Sequence, residues 1–134
     1  MGWPLETSTG PRLGIRLQGQ GDRRTLALTG EMDLATAPAL EGAVIRLCKD
    51  AIKQLVLDLS QLEFIDGSGL HAVSAVRLIC QDSGCELRII PGRKELHRLF
   101  TISGLDGRLP FRPPGPEPHG EHESPWREDQ RAGW

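Results

Sequence analysis

The chain has no apolar run approaching the roughly 20 residues that a helix needs to cross a bilayer. Its start, Met1-Gly2-Trp3-Pro4-Leu5-Glu6, lacks the basic-then-apolar order of a secretory signal. A soluble, cytoplasmic protein is expected. Positive charge is not in excess either. The formal net charge is −2 over 134 residues, and the stretch from Phe111 onward, with three Arg against five acids, accounts for all of it. Residues 1–110 are therefore neutral and offer no basic field to nucleic-acid phosphates or to an anionic membrane, so neither is expected as a partner. Cysteine is scarce. Cys48, Cys80 and Cys85 are odd in number and show no C-x-x-C spacing, which fits neither a disulfide framework nor a zinc site. They are expected to serve as small apolar side chains in a reducing compartment, with no metal and no cofactor. Hydrophobic residues make up only 38%, so part of the chain should contribute nothing to a core.

What is present lies in the middle. Residues 1–12 are rich in Gly, Pro and Thr without periodicity and are expected to form a flexible N-terminal arm. Leu13, Ile15 and Leu17 alternate, as do Leu26 and Leu28, and a glycine-rich turn lies between them; this predicts a β-hairpin. Gly19 and Gly21 do not make a nucleotide loop, because no helix follows them. Residues 36–51 read as a helix, with Thr36 able to cap it, Pro38 in its first turn, and Leu40, Val44, Leu47 and Ala51 at helical spacing. Residues 54–59 form a short apolar run expected of a strand buried on both faces, and residues 60–67 a loop. A second helix opens near Ser68 and stops at Gly84. Residues 86–90 are a strand, residues 94–102 a third helix, and residues 108–110 can add a short last strand. The expected class is α/β: a mixed sheet with an N-terminal hairpin, then alternating α and β, with helices packed on it. One domain spans 13–110. Residues 111–134, rich in Pro, Gly, Glu and His, cannot build an apolar face and are expected to be a disordered tail. In that tail His119 and His122 read as solvated surface rather than ligands, and Trp126 and Trp134 are either exposed or docking residues.

The informative stretch is Asp66-Gly67-Ser68-Gly69-Leu70, where a strand end meets a helix start. Ser68 stands where a helix cap is expected. Glycines on either side strip steric cover from its hydroxyl. A nucleophile elbow would need glycines two positions away, and His71 has no partner to orient it, so no catalytic residues are assigned. Asp33 and Asp66 can be turn-forming and capping acids, or can shape a surface at one edge of the sheet. No third ligand accompanies them, so a metal site there is not expected.

The segment Gly30-Glu31-Met32-Asp33-Leu34-Ala35-Thr36-Ala37-Pro38-Ala39-Leu40, followed by Leu57-Asp58-Leu59 and Phe64-Ile65-Asp66-Gly67-Ser68-Gly69-Leu70, closely resembles the STAS domain of bacterial anti-sigma factor antagonists. The resemblance implies a STAS-like fold over 13–110 and a binding switch rather than an enzyme. It implies that Ser68 is phosphorylated by an anti-sigma factor that is a serine kinase, and that a PP2C-type phosphatase resets it. The unphosphorylated form would bind the anti-sigma factor and release the sigma factor, as in stress-response and sporulation control. The partner-binding surface so implied comprises Asp33, Asp66, Gly67, Ser68, Gly69 and Leu70. The chain departs from the commonest pattern at Gly67, where a second Ser is often found. A phosphate would add roughly −1.5 to −2 charges at a helix N-terminus, where the dipole tolerates them, so it should act outward on docking and leave the fold intact. A monomer or weak dimer is expected. The alternative is a STAS-type accessory or scaffold subunit of a transport or stress-signalling complex, without the phosphoswitch.

Overall fold

In the computed structural model, residues 8–10 and 12–112 are described. Five strands and three helices follow in the order β1 (Ser8–Gly10), β2 (Leu13–Gln20), β3 (Arg23–Met32), α1 (Ala37–Lys49), β4 (Gln54–Ile65), α2 (Gly67–Ser83), β5 (Glu86–Ile90) and α3 (Lys94–Ile102). The strands lie side by side in sequence order, β1-β2-β3-β4-β5. The first two pairings are antiparallel and the last two parallel. The expected mixed α/β sheet is the fold observed.

The hairpin closes through Gly21 and Asp22, with Gln20 paired to Arg23 and Gly21 at φ 65°. The Asp22 carbonyl then accepts from Lys53 N–H (2.7 Å) and Gln54 N–H (3.1 Å), tying the turn to the start of β4. β3–α1–β4 and β4–α2–β5 are successive parallel crossovers added in one direction. Because such crossovers are right-handed, both helices fall on one face of the sheet. Leu40, Val44 and Leu47 of α1 and Val73, Val76 and Cys80 of α2 meet Leu26, Leu28, Leu55, Leu57, Leu59 and Ile89 of the strands in one core, joined by Leu96 and Phe100 of α3.

Three expectations need correction. β4 is not buried on both faces: Leu55, Leu57 and Leu59 are buried, while Val56 and Asp58 between them stay partly exposed. Nor does the chain leave the sheet at Ser60. β4 runs on to Ile65, its second half paired with residues 29–32 of β3. Last, the edges of the domain extend beyond 13–110. Ser8–Gly10 pairs with β2, and at the other end Phe111 forms a parallel bridge with Ile89. The Phe111 ring stands edge-on to Phe100, with centroids 5.0 Å apart, and to His97 at 4.6 Å. Residues 1–7 and 11 of the N-terminal arm and residues 113–134, including His119, His122, Trp126 and Trp134, lie outside the described residues. Among the described residues, no helix is long and apolar enough to cross a membrane.

Candidate partner-binding site

β3 and β4 end together, Met32 opposite Ile65, and each is followed by an aspartate: Asp33 opens the turn that leads into α1, and Asp66 stands at the start of α2. The Asp66 N–H donates to the Met32 carbonyl (3.2 Å), so the two chain exits stay in contact. At the first exit Asp33 is the hub of a tight turn. Its Oδ1 accepts from the N–H groups of Ala35 (3.0 Å) and Thr36 (3.1 Å). The Thr36 hydroxyl accepts from the Asp33 N–H (2.9 Å) and donates to the Glu31 carbonyl (2.9 Å). Arg12 Nη1 lies 2.7 Å from Asp33 Oδ2. Burial alone would push the Asp33 carboxyl up, but the hydrogen bonds from Thr36, the Arg12 guanidinium and the Ala35 N–H together hold it below the ordinary carboxylate value. Arg12, assigned by sequence to the arm, is thus part of this turn. Gly30 makes that possible. It sits at φ 85°, and a Cβ there would overlap the Arg12 carbonyl, which accepts from the Glu31 N–H (2.6 Å).

At the second exit the helix cap is Asp66, not Ser68. Asp66 is extended (φ −120°, ψ −169°), and its Oδ1 accepts from the Gly69 N–H at 3.0 Å. Ser68 is the second residue of α2, partly exposed. Its two glycines have different reasons. A Cβ on Gly67 would meet nothing within 4 Å, which leaves the approach to Ser68 open. A Cβ on Gly69 would come within 2.5 Å of Ile65 Cγ1 and 2.7 Å of the Met32 carbonyl, so Gly69 is there to let α2 seat on the strand ends. Leu70 packs against the core. Of the six residues expected at the partner surface, Gly67 and Ser68 reach a common groove, Asp33 and Asp66 build the turns beside it, and Gly69 and Leu70 face inward.

The groove holds about 340 Å³ between the starts of α1 and α2. Ala37, Pro38 and Glu41 form one wall, Gly67, Ser68 and His71 the other, and Leu34 the lip. Leu34 is 75% exposed, a large apolar side chain held out by the Asp33 turn. Sequence reasoning passed over Leu34, Pro38 and Glu41. The available signal was an apolar residue between a turn-forming Asp and a helix cap, where no core position is due. Two helix N-termini open onto this groove, so it favours negative charge near Ser68.

The family model described as "Mlab, STAS domain" matches residues 15–112. The chain belongs to the STAS domain family. An anti-sigma-B factor antagonist of Staphylococcus aureus is 26% identical over 93 residues, covering 69% of this chain and 86% of that protein. The crystal structure of an anti-sigma factor antagonist from Mycobacterium paratuberculosis superposes with a TM-score of 0.68 at 27% identity, covering 80% of this chain and 92% of the other. The unphosphorylated form of the anti-sigma factor antagonist SpoIIAA shares the fold, with a TM-score of 0.65 at 15% identity over 90% of this chain and 98% of the other. STAS proteins of this kind are regulatory binding proteins, and this STAS chain is a binding domain rather than an enzyme.

The cysteines pack in or against the core as small apolar side chains, as expected, but they also meet one another, which was not expected. Cys48 in the last turn of α1, Cys80 in the last turn of α2 and Cys85 just before β5 bring their Sγ atoms within 4.8 Å of one another. The contact with Cys85, with burial, pushes the Cys80 thiol up, and the same contact draws the Cys85 thiol down. Linear spacing could not show this, because three separate elements carry the three residues.

Proposed function

We propose that this STAS domain is an anti-sigma factor antagonist that binds an anti-sigma factor, itself a serine kinase, through the groove at Ser68, and that phosphorylation of Ser68 turns binding off. A PP2C-type phosphatase restores the binding form, and the cycle takes place in the cytoplasm. The names of the relatives support the general role. The observation that carries the switch is the position of Ser68: on the open first turn of α2, beside the exposed Leu34, yet not the residue that caps the helix. A docking partner that covers Leu34 must also cover residue 68. A phosphate there would be desolvated against Glu41 with no Lys or Arg lining the groove, which penalises the bound state and leaves the free one intact.

The test uses Ser68→Ala and Ser68→Asp with the purified anti-sigma partner and ATP. Wild type should incorporate one phosphate and then lose affinity. Ser68→Ala should take up none and bind constitutively, whereas Ser68→Asp should stay folded and bind at least about tenfold more weakly, a change of about 1.4 kcal/mol. Equal affinities for the two variants, with no phosphate at Ser68, would leave the accessory or scaffold reading in place of the switch.

A further inference from the structure

We propose that Cys48, Cys80 and Cys85 form a binding site for one thiophilic d10 metal ion, Zn(II) or Cu(I). Three sulfur atoms about 2.3 Å from a central ion stand about 3.8–4.0 Å apart, whether the ion is tetrahedral or trigonal. The three Sγ atoms already lie within 4.8 Å of one another, so binding needs a closure of about an ångström or less, within reach of side-chain rotation. The backbone holds them for it. Gly84, left-handed at φ 73°, reverses the chain after α2, and the Cys85 N–H donates to the Cys80 carbonyl at 2.9 Å. The Glu86 N–H then donates to the Lys53 carbonyl (2.9 Å), fixing Cys85 beside the end of α1.

An ion also has a way in. A surface groove of about 510 Å³ is lined by Cys80 and Cys85 together with Arg77 and Arg108, and Cys48 is itself partly exposed. Soft sulfur ligands select Zn(II) and Cu(I) over hard cations. On binding, each thiol gives its proton to solvent and its sulfur lone pair to the metal, with no change of oxidation state. Cu(I) is satisfied by three thiolates, and Zn(II) takes water as a fourth ligand. The site lies twelve residues along α2 from Ser68, about 18 Å by helix rise, and so stands or falls apart from the switch.

The full chain, reduced and stripped with a chelator, would be titrated anaerobically with Co(II), as a spectroscopic stand-in for Zn(II), and separately with Cu(I) against a competing chelator. One equivalent of one of these ions should bind. Co(II) would show a sulfur-to-metal charge-transfer band that equimolar Zn(II) abolishes; Cu(I) would show tight uptake without it. Cys48→Ala, at the partly exposed position, should keep the wild-type circular dichroism and lose affinity at least about tenfold. His119→Ala/His122→Ala, which removes the one His-x-x-His pair in the sequence, should bind as wild type does. Absence of stoichiometric thiolate binding for both ions would overturn the site, as would a folded Cys48→Ala that binds like wild type.

Discussion

Gly67 and Gly69 flank one serine and answer to different constraints. Gly69→Ala would drive a methyl into Ile65 and the Met32 carbonyl, and backbone cannot yield as a side chain can. The expected loss is about 1–3 kcal/mol, the usual cost of overpacking. Gly67→Ala has open space and a helical position to occupy, so it should be neutral or stabilise by about 0.4–1 kcal/mol. Urea unfolding of the two variants separates these outcomes. The same region carries an acid-side effect. Asp33 has its pKa depressed in the fold, so its charged form favours folding. That contribution is complete above the unfolded value near 3.8 and is lost as pH falls through the lower folded value. Asp33→Asn should therefore unfold with less dependence on pH below about 4, read as a flatter melting-temperature profile. The motif residues were legible because turn and cap chemistry is local. That Asp66 rather than Ser68 caps α2 was not legible, since either residue type caps well and only the backbone angles decide.

Among the elements, β4 shows where pattern reading stops. Its first half alternates in burial as a one-sided strand should, though its apolar run suggested two buried faces. Its second half hides because the register with β3 slips twice: Ala27 and Thr29 face Asp58 and Gln61, and Gly30 and Glu31 face Leu62 and Phe64. Each slip gives β4 one residue more than its partner, so the buried positions become Leu59, Leu62 and Ile65, a spacing of three that no period-two search finds. One-sided burial makes a contrast. Leu57→Asp would bury an unpaired charge in the core and should abolish cooperative unfolding at ordinary temperature. Val56→Asp, one residue away on the partly exposed face, should leave a folded protein with a lowered melting temperature. Equal damage from both would contradict the one-sided sheet.

For the whole molecule, the class and the order of elements followed from sequence because hairpin, crossovers and helix stops are all local signals that agree. The limits of the domain did not. Phe111 looked like the first residue of a polar tail, yet its ring closes the edge of the core beside Phe100 and His97. Truncation after Arg112 should leave the melting temperature nearly unchanged, as the composition of the tail predicts. Truncation after Pro110 removes the Phe111 ring and the Ile89 bridge and should lower it by several degrees, about 4–8 °C per kcal/mol lost. The meeting of three cysteines belongs to this scale too, since it exists only once two crossovers lie on the same face.

The separation of Asp66 from Ser68 has one more consequence. The residue that secures the helix is not the residue proposed to be phosphorylated, so in the proposed switch a group would be written onto α2 and erased again while its frame stays locked. Each round would then start from an already folded molecule and need no refolding before the next. The pace of signalling would be set by the enzymes that visit the site, and the lifetime of the protein by a core that takes no part in the message.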